Sequence, residues 1–382
     1  METRTTGMFK SLGIIIREQP IENFIMEETK FSRSQVKKAG ELLKRMSELS
    51  LDELFFSTDA LTYWRTLHSN LITDFHNDIK KVVEEFNSGV LMVQRIKRSQ
   101  SIIAKLGRES NMKLNTMQDI AGMRIVVDDI SEIYNLAKRL KDSGFKHKFI
   151  NEKDYIENPK DSGYRGIHLI YKYTSEDKPE LNNLYVEVQL RTRLQHTWAT
   201  AVETMSTFLG THLKFNEGQQ KWLKYFALTS SAFSFFESTP AIPKYNNLSE
   251  LETLKLALYE YNYYHISESL SAYSVAVNII CTRIDPKKKF HIVTLDIEQK
   301  KVSIQSFSEE QIGEANMKYT ELEKNSNEKT NTQSVFVSTD NIQELKDGFP
   351  NYFLDIEGFL TQMIEIRERL NELKHNENNN NN

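Results

Sequence analysis

The octapeptide Tyr185-Val186-Glu187-Val188-Gln189-Leu190-Arg191-Thr192 leaves its chain little choice of local structure. Apolar and polar residues alternate strictly, which predicts a β-strand whose successive side chains point to opposite faces. Val186, Val188 and Leu190 then line one face, and Tyr185, Glu187, Gln189 and Arg191 the other. Two readings of the polar face stand side by side. It is a solvated edge of a half-buried sheet, or it is a working ledge, because a carboxylate, an amide and a guanidinium are the groups that hold a metal ion and phosphates. A second cluster of charged and aromatic residues, Asp154 to His168, lies just upstream and weighs toward the ledge.

The segments before this strand supply further chemistry. Residues from about Ser32 to Val93 read as helices. Ser34 is a candidate cap for one, and a second is expected from Asp59, with Leu61, Trp64, Leu67, Leu71 and Phe75 on one side. Trp64 and His68 read as core packing with a satisfied polar edge. A basic segment follows, with Arg95, Lys97, Arg98, Lys105, Arg108 and Lys113 against the single acid Glu109. Lys97, Ser101 and Lys105 recur every four residues, so on a helix they form one stripe able to reach phosphates. Asp119 to Asp128 is a helix-to-strand junction in which Met123, Ile125 and Val127 alternate with Arg124 and Val126. Asp119 is there either a turn residue or a metal ligand. Ser131 to Ser143 reads as an amphipathic helix closed by Gly144. Pro159 and Gly163 mark a loop that delivers a strand from His168 to Tyr173, and Tyr164 beside Lys160, Arg165 and His168 suits a base with phosphates attached.

After the octapeptide, Leu194 to Leu213 and Gln219 to Phe236 read as helices, and Ser238 to Asn247, with Pro240 and Pro243, as a linker. A Tyr-rich helix is expected over Leu251 to Cys281, then a hairpin of Phe290 to Asp296 with Val302 to Phe307. A helix from Glu309 to Leu322, a strand at Val335 to Val337 and a helix from Tyr352 to Leu370 complete a small α+β module. Lys324 to Thr332 reads as a polar loop, and Asn376 to Asn382 as a disordered tail. The expected organisation is therefore an N-terminal helical region (1–90), a central domain (91–237), a linker (238–250), a C-terminal module (251–375) and the tail (376–382).

Composition narrows the class. A chain of 382 residues has room for two or three domains. A net charge of −4 argues against wholesale coating of nucleic acid, so any such contact must be a local basic patch. Cys281 is the single cysteine, which leaves neither a disulfide framework nor a zinc-ligand set. Met1 to Gly7 and the short apolar run Leu12 to Ile16 do not read as a secretory signal, and no stretch reaches the length of a membrane span. The cytoplasm is the expected compartment.

Four stretches, in order, carry a family resemblance: RIKRSQSIIAKL, DIAGMR, DYIENPKDSGYRGIHL and EVQLRT. Together they resemble the synthetase domain of RelA/SpoT-type alarmone synthetases over about Arg95 to Glu203. EVQLRTRLQHTWATAVET is similar to the branch of toxic small synthetase-like proteins. VFVSTD and FPNYFLD, with the N-terminal FSRSQVKKAGELL and YWRTLH, resemble CapRel-type fused toxin–antitoxin proteins. The resemblance implies an α+β fold, a mixed β-sheet flanked by helices of nucleotidyltransferase type, with a pseudo-zinc-finger module at the C-terminus. It implies pyrophosphoryl transfer from ATP with release of AMP.

By the same resemblance, Arg95 and Arg124 would sandwich the adenine, and Lys97, Ser101 and Lys105 would grip the ATP phosphates. Asp119 and Glu187 would hold Mg²⁺, with Glu187 also the base for the attacking hydroxyl. Tyr164 would stack under the acceptor base, Lys160 and His168 would lie near the transferred phosphates, and Gln189 and Arg191 would support them. The implied acceptor is the tRNA 3′ CCA end, with a purine nucleotide (a (p)ppGpp or ppApp synthetase) as the alternative. A partner-binding sensor with a degenerate catalytic half is the alternative of another class. An aromatic-x-x-Tyr element, here Phe349 to Tyr352, would block the nucleotide site until a phage protein releases it, and the fused module suits a monomer. The His-Asp hydrolase domain of longer relatives has no counterpart, since the chain contains no His-Asp pair.

Overall fold

The computed structural model describes residues 30–86, 90–97, 99–142, 144–209, 220–285, 287–296, 299, 301–325, 332–339, 342 and 352–380. The expectations for Met1 to Ile16, Arg98 and Phe349 lie outside these residues. Two helices open the described chain, α1 (Arg33–Leu43) and α2 (Leu51–Phe86). Ser32, not Ser34, caps α1: its hydroxyl accepts from the Gln35 amide while the Gln35 side chain reaches back. α2 starts eight residues before Asp59, because Ser50 and Glu53 cap each other's backbone amides and no Gly or Pro interrupts the run to Phe86.

The central sheet has five strands, β1 (Leu91–Ile96), β2 (Ala121–Val127), β3 (Lys148–Asp154), β4 (Ile167–Lys172) and β5 (Tyr185–Thr192), in the order β1-β2-β5-β4-β3. Only β2 with β5 is parallel, so the sheet is mixed. The octapeptide is thus its middle strand, and the solvated-edge reading falls. Met123, Ile125, Val186, Val188 and Leu190 are buried in one core with Trp64 and Phe75 of α2 and with α4 (Ile130–Asp142). Helix α3 (Ser99–Arg108) contributes Ile102, Ile103 and Leu106 to the same core.

The opposite face of the sheet meets α5 (Arg193–Leu209), which follows β5 without a break. Helix α6 (Gln220–Phe236) comes next. The single helix expected over Leu251 to Cys281 is two, α7 (Glu250–Tyr263) and α8 (Ile266–Arg283). His265 between them is left-handed (φ 51°), which turns the chain so that both helices pack on one core. A second sheet, β6 (Lys288–Asp296), β7 (Lys301–Ser308) and β8 (Thr332–Ser338), has the order β7-β6-β8, with α9 (Ile312–Asn325) against it. The last helix, α10, covers Tyr352–Asn380, so the Asn-rich segment is helical as far as Asn380. Extending an existing helix adds a hydrogen bond per residue, which outweighs the poor helix propensity of asparagine.

The expected boundary near residue 237 does not separate two cores. Trp198 of α5 and Phe226 and Phe233 of α6 share one apolar cluster with Tyr273 of α8, Val335 of β8 and Phe359 of α10. The segment expected as a linker is packed into it: Ile242 is fully buried, Tyr245 nearly so, and the Ile242 amide donates to Ser231 Oγ at 3.2 Å.

Two buried histidines, His68 and His147, give the N-terminal half a pH dependence, and His68 is the more enclosed. His68 is enclosed against Trp64, its Nδ1 2.7 Å from the Trp64 carbonyl, and burial lowers its pKa from 6.5 to about 4. The folded state therefore resists a proton that the unfolded chain accepts. The stability this neutral ring supports is complete above about pH 6.5 and lost as pH falls through about 4, a cost of about 2 kcal/mol at pH 5. Thermal melts of the wild type and of His68→Gln between pH 7 and 5 check this. A steeper loss in the wild type is expected, and parallel slopes would contradict it.

Candidate active site on the polar face of the central sheet

Strand register, more than sequence proximity, assembles the site. Paired residues on neighbouring strands share a face. Gly122 lies between Arg95 of β1 and Glu187 of β5, Arg124 pairs with Gln189, and His168 of β4 pairs with Gln189 from the other side. Arg95, Arg124, Glu187, Gln189, Arg191 and His168 therefore project from one face, opposite the Val186-Val188-Leu190 core. Gly122 leaves the space between Arg95 and Glu187 free of a side chain, and a Cβ there would sit 3.7 Å from Arg95 Cγ.

Asp119 stands at the entry of β2, with Lys97 Nζ and Lys105 Nζ on its Oδ2 at 3.1 and 2.9 Å. The stripe expected on one helix is only partly helical: α3 begins at Ser99, and Lys97 precedes it with its amide on the Ile120 carbonyl at 2.7 Å. The two ammonium groups nonetheless meet. Ser101 is half-buried on the first turn of α3. Burial would raise the Asp119 carboxyl, but Lys97 and Lys105 outweigh burial and the nearby Glu187 and hold it below the usual range. Burial depresses the Lys97 ammonium, against the attraction of Asp119. Asp119 Oδ1 is buried and has no hydrogen-bond partner.

Around Glu187 the polar side chains close a ring of hydrogen bonds. His168 Nδ1 lies 2.9 Å from Glu187 Oε1, and His168 Nε2 lies 2.5 Å from the Tyr164 hydroxyl. Arg191 Nη2 donates to that hydroxyl at 2.9 Å and to Gln189 Oε1 at 3.2 Å. Gln189 Nε2 returns to Glu187 Oε2 at 2.7 Å. Burial alone would raise the Glu187 carboxyl, yet cationic His168 and the bonds from His168 and Gln189 hold it well below the carboxylate range. Burial would lower His168, but Tyr164 and Glu187 raise it to about 9, so the imidazole is a cation at neutral pH. Burial would raise Tyr164, and Arg191 and His168 bring it down to about 7. The charge balance is one-sided. Arg95, Lys97, Lys105, Arg124, Lys160, His168 and Arg191 outnumber the carboxylates near them, Asp119, Glu187 and, beside Arg124, Glu203, which suits a polyanionic ligand in a chain of small net charge.

Two expected roles meet obstacles here. The Tyr164 ring is only 7% exposed, with Lys160 Nζ 5.1 Å and Arg191 Cζ 5.0 Å from its centroid. Stacking under a base requires one of these cations to leave the ring. Arg95 is exposed on an edge strand, whereas Arg124 is buried, and burial together with Arg191 and Arg95 depresses its guanidinium. An adenine held between the two needs Arg124 uncovered. Tyr155, which sequence reasoning did not single out, belongs to the cluster. Its ring lies edge-on to Tyr164 and His168 at 5.8 and 5.1 Å, with Lys160 Nζ 4.3 Å from its centroid. The motif Asp154-Tyr155 was its only signal. Tyr352 opens α10, and Phe349 is outside the described residues. An open groove of about 520 Å³ lined by Glu157, Pro159, Phe235, Pro240, Pro243 and Leu248 contains none of these groups.

Helix α10 reaches the rim of this face. Asp355 of α10 places Oδ2 3.2 Å from His196 Nε2 and accepts from Thr200 Oγ1 at 3.2 Å, both on α5. Burial lowers the His196 pKa, Asp355 opposes it, and Arg124 and Arg191 lie near enough to add to the lowering.

Comparison with known proteins places this face within a family region. Residues 94–208 match the family model described as "Region found in RelA / SpoT proteins". "GTP pyrophosphokinase YjbM" of Bacillus subtilis (strain 168) is 35% identical over 117 residues, 29% of this chain and 54% of that protein. "GTP pyrophosphokinase YwaC" of the same organism is 36% identical over 115 residues, 28% and 52%. The match therefore spans about half the length of these curated relatives. The solved structure of the small alarmone synthetase 1 from Bacillus subtilis bound to its product pppGpp covers 45% of this chain and 89% of its own, at 24% identity and a TM-score of 0.39.

Proposed function

We propose, from the premise that residues 94–208 form a RelA/SpoT-type synthetase domain, that this chain is a pyrophosphokinase with ATP as donor. The observation that carries the reading is the single sheet face on which Arg95, Arg124, His168, Glu187, Gln189 and Arg191 converge beside Asp119 and two lysines. An acceptor hydroxyl gives up its proton, its oxygen attacks the β-phosphorus of ATP, and the bond to the α-phosphate oxygen breaks so that AMP leaves with that electron pair. Charge grows on the transferred phosphates, and a fixed array of cations stabilises it without reorganisation. Lys97 and Lys105 are placed to exchange Asp119 for phosphate oxygens, and His168 adds a third cation. The depressed Glu187 carboxyl suits holding positive charge, and it becomes a base only when an acceptor hydroxyl replaces the His168 bond.

Mg²⁺ fits this site. Asp119 Oδ1 is buried without a partner, and Asp119 and Glu187 are close enough to oppose each other's ionisation. Among the described residues no group of three or more His, Cys, Asp or Glu could hold a metal ion, so phosphate oxygens would complete the set, as is usual for Mg²⁺. When bound, the ion would be held by Asp119 and Glu187 and would supply positive charge against the donor phosphates.

The acceptor separates two readings. Similarity to the toxic branch supports the tRNA 3′ end, with translation arrest, restraint by the C-terminal module and release by a phage protein. The names of the curated relatives favour a guanine nucleotide. Incubation of the full chain with γ-labelled ATP, Mg²⁺ and, separately, GDP, GTP, ADP or deacylated tRNA tests both. Label on one acceptor with equimolar AMP is expected. Label on guanine nucleotides alone defeats the tRNA reading. No label on any acceptor defeats the enzyme reading and favours a partner-binding protein.

A further inference from the structure

The loop that carries Lys160 and Tyr164 is held from beneath by groups to which the proposed reaction gives no role. Gly163 has φ +95°, and a Cβ there would lie 2.8 Å from Trp198 Cζ2 and 2.9 Å from Ser230 Cβ, so the loop backbone rests directly on α5 and α6. Ser230 Oγ donates to the Gly163 carbonyl at 2.6 Å and accepts from Arg165 Nε at 3.0 Å. Arg165 is 4% exposed, and its Nη1 reaches the Ile156 carbonyl at 3.4 Å and Thr239 Oγ1 at 3.5 Å. Its Nη2 is buried with no hydrogen-bond partner. Opposite stands Glu237, whose carboxylate accepts from Thr192 Oγ1 and from Gln195 Nε2 at 2.9 Å.

A buried guanidinium with an unused donor is costly if left alone, and the half-buried Glu237 carboxylate is the anion nearest to hand. Between them lies a void of about 10 Å³, walled by Leu194, Trp198 and Phe233 and carrying Arg165, Gln195, Ser230 and Glu237 as its polar lining. That is the room one water needs, and the polar partners are there to bind it. Burial depresses Arg165 to about 10 against the attraction of Glu237, and burial raises Glu237 against the attraction of Arg165, so each senses the other's charge. Thr192 ends β5 and Gln195 lies on the first turn of α5. Glu237 is therefore tied to the strand of Glu187, and Arg165 to the loop of Tyr164.

We propose that Arg165 and Glu237 form a water-bridged pair that fixes the acceptor loop against the Glu187 strand, making both positioning residues for the acceptor side of the site. This rests on the proposed reaction, in which the loop contacts the acceptor. Arg165→Met and Glu237→Gln in the full chain, singly and together, test it with GTP and deacylated tRNA as acceptor probes. The acceptor KM is expected to rise about tenfold in each single variant with the ATP KM within about twofold, and the double variant to be no worse than either. Arg165→Lys is expected to restore part of the loss. Equal changes in both KM values, or additive losses, overturn the pair. Hydrogen exchange gives a readout free of turnover: faster exchange confined to residues 154–166 is expected in both single variants, and unchanged or chain-wide exchange overturns the proposal. Should the wild type label neither probe, the reaction reading fails, and exchange still decides the pair. Should Arg165→Met not fold, Glu237→Gln, which keeps the shape, removes the charge and turns one accepting oxygen into a donor, carries the same two readouts.

Discussion

Glu187→Gln is expected to lower pyrophosphoryl transfer by about 10³-fold or more while the chain stays folded. The carboxylate sits amid an excess of cationic groups, and its loss removes the counter-charge of His168 and the acceptor of the Gln189 amide. The amide cannot reproduce the ring: one end still accepts from His168, but the other turns a donor toward the Gln189 donor. The ring then rearranges at a cost of about 1–3 kcal/mol in stability, which lowers the melting temperature without unfolding the chain. Steady-state rates of AMP release with the best acceptor, beside a thermal melt, separate the two effects. Residual transfer within tenfold of wild type would remove Glu187 from the chemistry.

The second large effect concerns the C-terminal helix. A chain ending at residue 351 is expected to lose its cooperative fold rather than to become a freed enzyme. Ile356, Phe359, Met363, Ile366 and Leu370 are buried in the cluster that also holds Trp198, Phe226 and Phe233. At about 2 kcal/mol for each buried side chain, α10 contributes about 10 kcal/mol, comparable to the whole stability of an ordinary domain. Circular dichroism melts and dye binding check this, and a truncated chain that melts sharply with native-like mobility would contradict it. Restraint of the site by the module is better probed at the contact itself. Asp355→Ala removes the partner of His196 and Thr200 at the rim of the sheet face while leaving the apolar seam of α10 intact. A rise in transfer with an unchanged melt supports restraint, and unchanged transfer counts against this contact as its basis.

Local periodicity made much of this legible. The alternation over Tyr185 to Thr192 predicted both the strand and the residues of its polar face, and β5 has those bounds. Pro159 and Gly163 marked the loop, and Gly163 does adopt a positive φ. Helix ends were less secure, because caps compete. Ser50 with Glu53 overrides Asp59, and the left-handed His265 splits a run whose apolar spacing is continuous across it. The linker expected from Pro240 and Pro243 failed for a related reason: proline stops a helix, but Ile242 and Tyr245 beside it are apolar enough to bury.

What the sequence determined by itself is which residues can share a face, since side-chain direction along a strand is set within a few bonds. It also supplied the chemistry, cations around two carboxylates. Only the tertiary structure decided what that face became. The position of β5 between β2 and β4 turned a ledge that read equally well as an edge into the middle of a sheet, and register brought Arg124 and His168 alongside it. Enclosure then set these groups on one another: against burial's own opposing effect, Tyr164 and Glu187 raise His168 while His168 and Gln189 lower Glu187, because charges removed from water act on one another far more strongly. The pairing of Arg165 with Glu237 spans more than seventy residues, and no local pattern encodes it.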